Sequence, residues 1–157
     1  MSLFFWQKFK KKYKNSLYFT SSLEDVSSWC CSITQKDLTD KYQLDLPDSI
    51  GQLNFSAGSL NHDEEQKIIL PTAEQKVSIR FIHNNPKCLP DYRQQSRPLK
   101  KVLQELGIPP WDRKRVPFLY YDDELVAALG YFVCQSYLPK ANDKHFNVCW
   151  LDSNKSG

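Results

Sequence analysis

Glycine is scarce in this 157-residue chain. The five present never fall at G-x-x-x-x-G-K or G-x-G-x-x-G spacing, so the loops that cradle nucleotide phosphates are missing. No Gly-x-Ser-x-Gly elbow occurs, which removes a common setting for a serine nucleophile. No apolar run approaches the roughly 18–20 residues that span a bilayer. Leu3 to Trp6 is also far shorter than the core of a secretory leader, so neither a membrane partner nor a signal peptide is expected. Cys-x-x-Cys pairs are absent: Cys30, Cys31, Cys88, Cys134 and Cys149 are scattered, as are His62, His83 and His145. A structural zinc needs four clustered ligands, so no metal site is expected. The cysteine count is odd, and Cys31, Cys134 and Cys149 sit in β-like apolar stretches where a reduced thiol packs as a small hydrophobe. Such usage points to a reducing, cytoplasmic compartment.

What is present suits a folded domain. Aromatics make up 13% of the residues, hydrophobics 41% and charged residues 25%, too apolar for a disordered chain and about one domain in length. The net charge of +3 conceals an uneven distribution. Residues 1–15 hold five lysines and no acid, and residues 16–70 hold three lysines against nine acids. Residues 71–120 then carry ten basic residues against four acids. A basic block is either a solvated face or a footprint for a polyanion, whose condensed counterions Lys and Arg displace.

The pattern of elements reads as α+β. Phe5, Trp6, Phe9 and Tyr13 recur at helical spacing between lysines, an amphipathic helix packed on the body, a membrane-surface helix or an aromatic strand. Short strands are expected at Leu17–Thr20, Ser28–Ile33, Gln52–Ala57, Ile68–Leu70 and around Val77, Ile79 and Phe81, where apolar and polar residues alternate. Asp37–Ser49, Asn61–Gln66 and 84–95 read as loops. Ser96 is a candidate N-cap for a helix with Pro98 in its first turn and an apolar stripe of Leu99, Val102, Leu103 and Leu106. Gly107 stands at its C-cap, and Pro110 opens a short second helix through Arg115. Phe118–Tyr121 and Leu125–Leu129 form a hairpin across the acidic turn Asp122–Glu124, read as a solvated tip rather than a metal site. Tyr131–Tyr137 and Phe146–Leu151 supply the last strands. Many short strands without βαβ alternation argue against a parallel α/β sheet.

Catalytic groupings are lacking, and no catalytic residue is assigned. The informative segment runs from Tyr92 to Arg115, where Arg93, Arg97, Lys100 and Lys101 crowd the start of one helix and Arg113, Lys114 and Arg115 the end of the next. Cations at a helix N-terminus oppose its dipole. Their accumulation there makes sense if an anion such as a phosphate occupies the site. The alternative is a solubilising face.

The runs Arg97-Pro98-Leu99-Lys100-Lys101, Gln104-Glu105-Leu106-Gly107-Ile108-Pro109-Pro110-Trp111, Pro117-Phe118-Leu119-Tyr120-Tyr121 and Glu124-Leu125-Val126-Ala127 closely resemble the C-terminal region of bacterial tRNA(Ile)-lysidine synthases. The similarity is strong from about Val77 to Val133 and weak over Leu17 to Leu70. It implies a fold related to a domain of the phenylalanyl-tRNA synthetase β chain, a β-sandwich-like set of layers with one main and one short helix. With it, the chain is expected to divide into a strand-rich linking subdomain at 4–70 and a tRNA-binding domain at 71–152; the residues themselves add a cloning leader or native start at 1–3 and a frayed tail at 153–157. The resemblance further implies that Arg93, Arg97, Lys100, Lys101 and Arg113 face tRNA(Ile), with Trp111 a packing residue; the charge cluster adds Lys114 and Arg115 as expected tRNA contacts. Family members are ATP-dependent ligases that join lysine to the wobble cytidine, but the Ser-Gly-Gly-x-Asp-Ser pyrophosphate loop of their N-terminal domain is absent here. ATP and lysine would therefore belong to a separate catalytic domain, itself an expected partner, and no cofactor is assigned to these residues. A homodimer stays open, as does a purely structural interaction module with a solvated basic face. Asp112, Asp122 and Tyr92 depart from the family pattern, standing where an apolar residue, a turn Gly and a Gly are usual.

Overall fold

The computed structural model describes residues 24–152. The segment at 4–14, the strand expected at Leu17–Thr20, the leader and the tail lie outside the described residues. Within them the order is β1 (Cys30–Ile33), α1 (Gln35–Thr39), β2 (Tyr42–Asp45), β3 (Gly51–Ser56), β4 (Gln66–Ile69), β5 (Val77–Arg80), β6 (Lys87–Cys88) and β7 (Arg97–Pro98). The main helix α2 (Leu99–Glu105) and the short α3 (Pro110–Arg113) follow, then β8 (Phe118–Tyr121), β9 (Glu124–Ala128), β10 (Phe132–Val133), a 3₁₀ turn at Gln135–Tyr137, and β11 (His145–Asp152). The class is α+β, as expected.

Two antiparallel sheets dominate, one in the order β1-β5-β8-β9-β10 and one in the order β2-β3-β11-β4, with β6-β7 as a two-stranded ladder. Strand β8 explains the layering. Side chains alternate across a strand, and all four residues of β8 are buried. Leu119 and Tyr121 join a core with Leu53, Phe55, Ile68, Phe146 and Val148 of the four-stranded sheet. Phe118 and Tyr120 join a second core with Leu99, Val102 and Leu103 of α2. Three layers result: helix, five-stranded sheet, four-stranded sheet. Strands from the two sides of residue 70 pair in both sheets, β1 with β5 and β11 with β3 and β4. The expected subdomains 4–70 and 71–152 therefore share one core over their described residues.

Several sequence expectations need correction. Asp37–Ser49 is not all loop. Thr34 caps α1, its hydroxyl accepting the Asp37 amide while the Asp37 carboxylate accepts the Thr34 amide, a capping box. Leu38 is fully buried, and β2 follows, placing Leu44 opposite Leu53. Asp40 and Asp45 are exposed, and the acidity of the stretch hides its apolar alternation. Ser96 is not the N-cap of α2 either. Arg97 and Pro98 are extended and paired with Lys87 and Cys88, so the helix begins at Leu99 with Pro98 at its N-cap and no side-chain cap of its own. Tyr131–Tyr137 keeps strand pairing at Phe132 and Val133 and a single bridge from Cys134 to Pro90 before the chain tightens into the 3₁₀ turn.

The C-terminus of α2 follows the expected pattern. Gly107 lies at φ +75, its amide donates to Gln104 and that of Ile108 to Leu103, the paired bonds of a Schellman ending. Gly130 is more constrained: at φ +89, an added Cβ would lie 2.6 Å from Cε3 of Trp150. Gly107→Ala is expected to cost about 1 kcal/mol, the penalty of an L-residue in left-handed backbone. Gly130→Ala adds an overpacking cost of roughly 1–3 kcal/mol. Urea unfolding of both variants checks the order.

Candidate nucleic-acid interface

Helix α2 is seated by its apolar stripe, leaving Lys100, Lys101 and Gln104 exposed. Its start is held from a distance. The Leu99 amide donates to the carbonyl of Pro86 at 2.9 Å, and the Lys100 amide donates to Oδ1 of Asn85 at 2.8 Å. These two N–H groups are therefore not offered to a phosphate. The expected helix-end cradle gives way to a site made by side chains.

Arg93 and Arg97 approach α2 from the preceding segment and meet at Glu105. Glu105 Oε1 lies 2.6 Å from Nη1 of Arg93, and Oε2 lies 3.2 Å from Nε of Arg97. Arg93 Nε also donates to the Gln95 carbonyl at 3.0 Å, and the Arg93 carbonyl accepts from Gln135 Nε2. The Arg97 side chain keeps 49% of its surface exposed, against 21% for Arg93. Lys101 lies four residues before Glu105, on the same helix face. Among the described residues neither Lys100 nor Lys101 is ion-paired with an acid. Arg93 and Arg97 thus meet at a single carboxylate, with Lys101 on the same helix face and the exposed Lys100 beside it in sequence.

The second basic triplet divides differently. Lys114 is exposed. Arg113 spends its Nε on the Ile108 carbonyl at 2.7 Å, bracing α3 against the end of α2. Arg115, expected to face tRNA, is turned inward: Nη2 lies 2.9 Å from the Asp48 carboxylate and donates to the Asp48 carbonyl, and Nη1 donates to the Glu24 carbonyl at 3.3 Å. Only 12% of its side chain is exposed, so it serves as an internal clasp between α3 and the β2–β3 connection. Trp111, expected to pack, is 48% exposed.

Residues near α2 that sequence reasoning passed over are Asn85, His83 and Glu105. The His83 ring meets Phe118 edge-on at 5.4 Å, and its Nδ1 accepts the Asn85 amide at 2.9 Å, so the neutral ring carries its proton on Nε2. Burial foremost, and the charge of Lys100 next, hold the His83 pKa below the ordinary histidine value. Asn85 takes φ +55, a conformation asparagine tolerates. The His-x-Asn spacing before a proline was the available signal, because short polar side chains commonly bond backbone two residues on.

The acidic hairpin is tied to Arg80, whose Nη2 donates to the Asp122 carbonyl at 2.8 Å and whose guanidinium stacks on Tyr120 at 4.2 Å. Asp122 sits at φ +53, which accounts for the turn Gly usual there. An open cleft of about 650 Å³ lies between this tip and β6, rimmed by Asp122, Asp123 and Glu124 with Lys87. Its charge has the wrong sign for a polyanion. Among the described residues no group of three or more His, Cys, Asp or Glu could hold a metal. Cys88 and Cys134 are free thiols, pushed up to about 11 and about 12 by burial, so they are inert packing groups. No helix of the described residues is long and apolar enough to cross a membrane.

The fold is an α+β domain with a basic segment leading into α2, and comparison with known proteins makes it particular. Residues 77–150 match the TilS substrate C-terminal domain, and this region of the chain belongs to that family. The chain is similar to the tRNA(Ile)-lysidine synthase of Serratia proteamaculans (strain 568), 35% identical over 140 residues, covering 89% of this chain and 29% of the relative. It is 44% identical over 85 residues to that of Shewanella woodyi, covering 54% and 18%. Against that of Hamiltonella defensa it is 41% identical over 112 residues, covering 71% and 23%. The chain thus spans less than a third of the length of these relatives.

The lowered pKa of His83 makes a signed prediction. The folded state favours the neutral ring, so its contribution is complete above the unfolded histidine pKa of about 6.5 and is lost as the pH falls below it. Between about pH 7 and about pH 5, wild-type stability should fall more steeply than that of His83→Gln, as read by urea unfolding at each pH. Equal slopes contradict the assignment.

Proposed function

We propose that this chain is the tRNA-gripping C-terminal part of a tRNA(Ile)-lysidine synthase, and that it holds the body of tRNA(Ile) while a separate N-terminal domain uses ATP to attach lysine to the wobble cytidine. One observation supports the reading above the others: Arg93 and Arg97 converge on Glu105 within the matched region, and Lys100 and Lys101 stand exposed on the same helix α2. A-form RNA presents phosphates and 2′-hydroxyls more readily than base edges, so a domain gripping its body is served by flexible ammonium groups and forked guanidiniums. Such contacts position the RNA without reading its sequence. Base identity then falls to the catalytic domain, which is where ATP and lysine act in this reading.

A second role suits the α3 end. Arg113 and Arg115 bond within the protein, which favours a structural interaction function for that triplet, leaving Lys114 as its contribution to the RNA surface.

The double variant Lys100→Ala/Lys101→Ala tests the reading. Both lysines are exposed, so the fold should survive. Binding of a tRNA(Ile) transcript should weaken, and the slope of log K against log salt should flatten by roughly 0.7–0.9 for each lost phosphate contact. Wild-type affinity and slope in the variant would remove this surface from the footprint.

A further inference from the structure

We infer that Glu105 is a positioning residue for RNA, holding the guanidiniums of Arg93 and Arg97 as a fixed pair for the phosphate backbone. This rests on the tRNA-binding reading above and adds to it the group that organises the site.

Charge alone argues against a carboxylate here. Glu105 sits between two arginines, with Lys101 on the same helix face, on the surface proposed to meet a polyanion, and each negative charge on such a surface opposes binding. Both of its oxygens are nevertheless engaged, Oε1 with Arg93 at 2.6 Å and Oε2 with Arg97 at 3.2 Å. The two arginines come from an irregular segment and a two-residue strand, neither of which fixes a long side chain by itself. Two guanidiniums brought this close repel one another, and the carboxylate between them offsets the repulsion.

The nitrogens that remain are suited to a phosphate. Arg93 has committed Nη1 to Glu105 and Nε to Gln95, which leaves Nη2. Arg97 has committed Nε alone, which leaves both Nη groups on a half-exposed side chain. Guanidinium nitrogens in a fixed fork match phosphate oxygens better than a point charge does. Ordering the pair before the RNA arrives removes part of the entropy cost of binding. Lys101, one turn before Glu105, adds charge on the same face without being held.

Glu105→Gln in the full 157-residue chain separates positioning from charge, because the two predict opposite signs. Removing a negative charge should tighten binding of a tRNA(Ile) transcript if Glu105 only tempers the field. If it positions the arginines, affinity should instead fall by roughly threefold to tenfold, with a salt slope shallower by about 0.7–0.9 for a lost phosphate contact. A purely structural role would lower the unfolding midpoint without moving that slope. Arg97→Lys provides a second arm: it keeps the charge but loses the fork, and it too should bind more weakly with a shallower slope. Wild-type binding with equal or tighter binding by Glu105→Gln, or an unchanged Arg97→Lys, overturns the inference and leaves the tRNA-binding reading standing. A wild-type chain that binds no tRNA at low salt overturns both.

Discussion

The two-sided burial of β8 is the constraint on which the rest of the structure depends. A strand buried on one face would leave either the four-stranded sheet or helix α2 without a partner. Here Leu119 and Tyr121 close the core between the sheets, while Phe118 and Tyr120 close the core beneath the helix. Tyr121 donates its hydroxyl to the Ile69 carbonyl at 2.7 Å, and burial keeps it protonated. A buried tyrosine needs such a partner, since an unsatisfied hydroxyl costs roughly 1–3 kcal/mol. The helix is therefore placed by the sheet, and its basic side by the helix.

Charge on this surface is handled in two ways. The lysines are left to solvent on α2, where long flexible stems carry a mobile charge. The arginines are tied down: Arg93 and Arg97 at Glu105, Arg113 at the Ile108 carbonyl, Arg115 at Asp48. The difference follows from chemistry, because a planar guanidinium with several donors can satisfy an internal acceptor and still present nitrogens outward. Arg115 shows the limit of that rule, since three internal acceptors leave it a clasp rather than a contact.

The fold was legible where the signal was local. Alternation over Val77 to Phe81, the apolar stripe of α2, Gly107 and the Asp122–Asp123 turn each rest on a few neighbouring residues, and each lies where those residues place it. What escaped was set by distance. The cap of α2 comes from Asn85 and Pro86, across the β6–β7 ladder, so Ser96 looked like the better candidate. α1 and β2 are short and acidic, and only Leu38 and Leu44 betray their burial. The basic side chains of the site were all named from the sequence. Their division into exposed and internally bonded groups depends on the carboxylates of Glu105 and Asp48 and on four backbone carbonyls, partners that no spacing rule selects. Trp111 illustrates the same gap, an aromatic on α3 that is half exposed.

The central claim is that the outer side of α2 and the segment leading into it form a contact surface for tRNA. Amide hydrogen–deuterium exchange of the chain, with and without a tRNA(Ile) transcript at low salt, tests it most directly. The account predicts slowed exchange across Arg93 to Glu105, with the Asp122–Glu124 hairpin and the outer face of the four-stranded sheet unchanged. Slowed exchange confined to that hairpin or sheet, with residues 93–105 unaffected, would contradict it.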